Sequence, residues 1–127
     1  MVTVSDEEFQ ALIDGALASL PPEHVRHLQN VAILYEQEPT LRQREELRLR
    51  CNQTLFGLYE GIPLTQRMGQ TTTLPDRITI FKGPICASVA SLAALKEQIR
   101  HTLWHEVAHY YGLGHTRIHE LESMQGR

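Results

Sequence analysis

HTLWHEVAHYYGLGH, residues 101–115, holds four of the chain's seven histidines, and its reading decides how the rest is understood. It closes the longest helical pattern in the sequence, from about Ser88 to Tyr111, with Leu92, Leu95, Ile99 and Leu103 as the predicted buried stripe. His105 and His109 are four apart, so both imidazoles share one helix face about a turn apart, within reach of one cation. Gly112 follows three residues later, where a left-handed backbone can end the helix and turn the chain back, making His115 the natural third nitrogen. Three neutral imidazoles leave one tetrahedral position open to water, the arrangement of catalytic zinc. Structural zinc sites are usually closed by four ligands and favour cysteine. Glu106, next to His105, is placed to take a proton from such a water. The expectation is one Zn2+ per chain on His105, His109 and His115, with Glu106 as the catalytic base. The extended spacing HExxHxxGxxH is far more specific than HExxH alone.

The remaining polar groups around this stretch divide into partners and bystanders. His101 lies one turn before His105 and is expected to be exposed, with a role behind the ligands as the alternative. His119, Glu120 and Glu122 fall in TRIHELES, expected to be a short last helix, where a carboxylate could orient an imidazole or replace His115 as third ligand. Tyr59, Tyr110 and Tyr111 are possible donors to a developing oxyanion, against their commoner use as core or rim aromatics. His24 and His27 read as solvated loop residues.

Away from the histidines the pattern alternates between helix and strand. Ser5 and Glu8 form a capping box, and Phe9, Leu12, Ile13, Ala16, Leu17 and Leu20 recur at helical spacing until Pro21 and Pro22. NVAILYE, residues 30–36, suits a strand covered on both faces. In EQEPTLRQREELRLR the acidic and basic residues offset one another, giving a solvated loop or short surface helix and not a phosphate site. LFGLYEGIPLTQR, residues 55–67, should bend between short extended pieces, and RITIFK, residues 77–82, alternates as a second strand before GPI breaks it.

The 127 residues fit one domain, 1–127, able to bury roughly two thirds of its unfolded surface. A net charge of −3 lacks the basic footprint of a nucleic-acid binder. The acidic N-terminus resembles neither a secretory signal nor a membrane span, so a cytoplasmic protein with no membrane partner is expected. In that compartment Cys51 and Cys86 should be reduced thiols.

HEVAHYYGLGH, together with LFGLYEGIPLTQR and LPDRITIFKGPI, resembles the small bacterial zincin-like metallopeptidases over roughly residues 30–122. The resemblance implies a minimal α+β zincin fold, with a small mixed sheet packed on an N-terminal helix and a long HExxH helix. It further implies that an edge strand lines the cleft, with RITIFK as that strand or its neighbour, and that an extended peptide binds by strand addition. The expected function is zinc-dependent hydrolysis of peptide bonds in a peptide or protein substrate. The spacing is shared with the metzincins, but their Met-turn lies in a further subdomain, and Met124 stands too close to His115 to serve for it. Two other functions remain. A bacterial RNA-maturation family with HGxLHLxGYDH has similar histidine spacing, which suggests a metal-dependent endoribonuclease, although Glu106 replaces its glycine. A zinc-containing binding module with little turnover is the other.

Overall fold

The computed structural model describes residues 1–26, 28, 30–50, 56–61 and 75–112, with the backbone alone at 46–50. The first helix, α1 (Asp6–Ser19), begins at the predicted capping box: Ser5 Oγ accepts the Glu8 N–H at 3.1 Å, and Glu8 Oε1 accepts the Ser5 N–H at 2.8 Å. Its stripe buries Phe9, Ile13, Ala16 and Leu20, each under 5% exposed, with Leu12 and Leu17 at the margin. Pro22 then starts a single turn, α2 (Pro22–Val25), where its fixed φ and missing N–H are harmless.

Three strands follow: β1 (Val31–Glu36), β2 (Gly57–Glu60) and β3 (Asp76–Phe81). They form one mixed sheet in the order β1-β3-β2, with β3 parallel to β1 and antiparallel to β2. Between β1 and β2 lies α3 (Leu41–Arg50), whose N-terminus carries a second reciprocal cap between Thr40 and Gln43. The charged segment is therefore a surface helix. After β3 the chain enters α4 (Lys82–Ala87), then α5 (Leu92–Tyr110), capped by Ser91 Oγ on the Ala94 N–H at 3.1 Å.

The strand alternation sorts the sheet into two faces. Tyr59, Ile78 and Ile80 point into the main core with Ile33 and Tyr35, and that core also takes α1 and α5. Leu58 and Phe81 form a smaller buried cluster on the other face. Helix α5 packs on β2 and β3 and against α1, and its Leu95, Ile99 and Leu103 are fully buried. Each such side chain contributes about 1.5–3 kcal/mol of apolar burial.

The α+β class and the packing of both long helices agree with expectation; four local readings do not. The helix of the Ser88–Tyr111 pattern starts later than expected, at Leu92 behind the Ser91 cap, because Ser88 still closes α4. KGPICA, read as a strand end and a break, is helical from Lys82. Leu92 is 57% exposed, since it sits in the first turn before α5 reaches the core. Strand β1 is half-buried, not covered on both faces, and Leu34 is exposed. Cys86 is a buried free thiol whose pKa burial pushes up. Cys51, His27, and the expected last helix with His119, Glu120 and Glu122 lie outside the described residues.

Candidate metal centre

The last turns of α5 carry the chemistry-bearing residues. His105 and His109 project from successive turns with ring centroids 4.9 Å apart and ring planes 68° apart. Together with the carboxylate of Glu106 they offer three potential ligand atoms, all within 4.8 Å of one another. His105 is 5% exposed and Glu106 2%, while His109 is half-buried at the open side. Two imidazoles a turn apart suit zinc in donor type and spacing, and a carboxylate beside them suits a base for zinc-bound water, so the residues present fit the ion the motif implies. As expected, Gly112 takes a left-handed backbone (φ 80°) and its N–H returns to the His109 carbonyl at 2.9 Å. His115, the expected third ligand, lies outside the described residues.

A buried carboxylate is costly unless hydrogen-bonded. Glu106 meets that demand across the fold: its Oε1 accepts the Tyr59 backbone N–H at 2.7 Å. This N–H is available because of the antiparallel alternation. The Phe81 N–H donates to the Phe56 carbonyl at 2.8 Å, so in this register Leu58 and Glu60 carry the next hydrogen bonds to β3, and the backbone groups of Gly57 and Tyr59 face the other way. Strand β2, the outer one of the described strands, thus presents Tyr59 to the helix.

Gly57 sets how closely the two elements approach. A Cβ there would lie 2.7 Å from Thr102 Cγ2 and 3.4 Å from Glu106 Cγ, so any side chain would push β2 away from α5. The sequence marked Gly57 as a bend. Its place inside a strand, against a helix, is the signal of close backbone contact that this reading missed.

The tyrosines behave differently from the oxyanion donors considered above. Tyr59 gives its hydroxyl to Asp76 Oδ2 at 2.6 Å and serves Glu106 through the main chain. Tyr111 donates its hydroxyl to the His24 carbonyl at 2.7 Å, and burial raises its pKa. Tyr110 is buried, edge-on to Tyr59 at 6.1 Å. His24 is a half-buried packing residue, its ring 5.5 Å from that of Trp104, and so is not a solvated loop histidine. His101 is exposed. RITIFK is the central strand; the strand beside the histidines is β2, its neighbour. A pocket of about 250 Å3 lies around α5 from the histidines, between Leu20, His24, Trp104, Val107 and Tyr111, and is apolar.

No helix among the described residues is long and apolar enough to cross a membrane. No curated protein matches the sequence. The family model for zincin-like metallopeptidases matches residues 28–125, from before β1 to beyond α5. That span contains the whole sheet, the helix with its paired histidines and the strand that holds Glu106. It supports a zinc-dependent, peptidase-type hydrolase at the level of the family. With a match over most of its length, the chain belongs to the zincin-like metallopeptidases.

Proposed function

We propose that this protein is a zinc-dependent peptidase that binds one Zn2+ per chain through His105, His109 and His115 and uses Glu106 as general base. The observation that carries the reading is the cluster of His105, Glu106 and His109, with the carboxylate fixed from a separate strand. Zinc in this position supplies Lewis acidity and lowers the pKa of water to about 7.

The chain's own residues account for the proton movements. Held through Oε1 by the Tyr59 N–H, Glu106 presents its second oxygen to the attacking water and takes a proton from it. As the water oxygen bonds to the carbonyl carbon, the Glu106 carboxyl stores that proton. When the carbon–nitrogen bond breaks, the same carboxyl returns it to the leaving amine. A carboxylate buried to this degree works largely away from bulk water, where its hydrogen bonds are stronger than in solvent. An extended peptide fits along β2, which among the described strands pairs only with β3 and turns the Gly57 backbone outward.

The test compares wild type with Glu106→Gln. Elemental analysis is expected to find zinc in both, while products from a diverse peptide library, read by mass, appear only with wild type. Equal hydrolysis by the variant would remove Glu106 from the mechanism. Retained zinc with no hydrolysis by either protein would leave a binding module.

A further inference from the structure

Asp76 opens β3 and is only 4% exposed, an unusual position for a carboxylate. Its Oδ2 accepts the Tyr59 hydroxyl at 2.6 Å, the length of a bond to a charged acceptor. The pairing follows from the sheet. Tyr59 stands opposite Ile78, so Asp76, two residues earlier on the same face, is its diagonal neighbour and within reach of a long aromatic side chain. Space for the carboxyl comes from Gly61, where a Cβ would overlap the Asp76 side chain. Tyr59 is thus held at its tip by Asp76 and along its ring by Tyr110, and its main-chain N–H meets Glu106.

Strand β2 has only four residues and, among the described strands, hydrogen-bonds only to β3. Such a short strand is weakly fixed by its ladder alone. We infer that Asp76 is a positioning residue for Glu106: by anchoring the Tyr59 hydroxyl it sets where β2 lies, so that the Tyr59 N–H reaches Oε1 of the carboxylate. The Asp76 side chain acts on Glu106 through Tyr59. The tether is a property of the fold, whereas its effect on hydrolysis rests on the peptidase reading above.

The experiment uses the full chain with zinc, in wild type, Tyr59→Phe, Asp76→Ala, Asp76→Asn and Glu106→Gln. The amide proton at position 59 is followed by NMR, and kcat and KM are measured on a peptide taken from the library products. Glu106→Gln moves the amide upfield by replacing a charged acceptor and so calibrates the signal. Tyr59→Phe and Asp76→Ala are expected to move it the same way and to lower kcat about tenfold or more, with KM and zinc content little changed. Asp76→Asn retains an acceptor for the hydroxyl and is expected to restore both readouts.

Should Asp76→Ala fail to fold, Tyr59→Phe decides alone. An unmoved amide in folded Tyr59→Phe overturns the inference, as does an Asp76→Asn protein no better than Asp76→Ala. If wild type hydrolyses nothing, the peptidase reading falls, and the amide shifts still decide the tether.

Discussion

Helix α5 has two buried stretches, one after the other along its length, that differ in how they are specified. In one, Leu95, Ile99 and Leu103 are 0% exposed and recur at helical spacing within a single segment. In the other, His105 and Glu106 are nearly as buried at 5% and 2%, yet Glu106 is satisfied by Tyr59, 47 residues earlier in sequence. Apolar burial is non-directional and tolerates small shifts. A buried carboxylate depends on donors at set distances, here the Tyr59 N–H at 2.7 Å. Similar burial therefore means stability in one stretch and alignment in the next.

The sharpest way to break this contrast is Glu106→Gln. Hydrolysis should fall about 100- to 10,000-fold, the usual contribution of a general base, with a thermal midpoint near that of wild type. A midpoint loss as large as that of a core truncation would make the polar stretch structural and end the contrast. The apolar stretch is probed by Leu103→Ala, expected to cost about 2–5 kcal/mol in urea unfolding while the paired histidines still take up zinc. An intermediate case is Gly57→Val. Forcing a side chain between β2 and α5 should cost about 1–3 kcal/mol and shift the amide at position 59 as well, because the same contact serves packing and alignment.

The smallest effect belongs far from both stretches, at the α1 cap. Ser5→Ala should cost about 1 kcal/mol and leave hydrolysis unchanged. Hydrogen bonds from the Ser5 backbone and side chain hold the Glu8 carboxyl below its ordinary value of 4.5. A depressed carboxylate pKa stabilises the fold above the unfolded value, and that contribution is lost as pH falls through the folded one. The difference in thermal midpoint between wild type and Ser5→Ala should thus be constant above about pH 5 and shrink in acid.

What could be read from sequence follows the same division. The α1 stripe and cap, the alternation of RITIFK, and the shared face of His105 and His109 all depend on neighbours within one element, so spacing alone revealed them. Where tertiary contacts decide, spacing misled. KGPICA contains Gly83 and Pro84, which oppose a helix in general, but Pro84 falls in the first turn, where its missing N–H is not needed. NVAILYE is apolar enough for a fully covered strand, yet β1 is only half covered. The hydroxyl of Tyr59 resembled a catalytic donor, whereas its main-chain N–H is the group that meets Glu106. No local pattern records that contact, because it depends on the register between β2 and β3 and on the room left at Gly57.

The placement of both histidines in the final turns of a 19-residue helix has an electrical consequence. Aligned peptide dipoles leave roughly half a negative charge at a helix C-terminus, which favours a cation there by about 0.3–1 kcal/mol. The backbone of α5 therefore attracts a divalent ion to the imidazoles before any side chain takes part. Imidazole binds metal only through a deprotonated nitrogen, so loading should weaken as the solution is acidified.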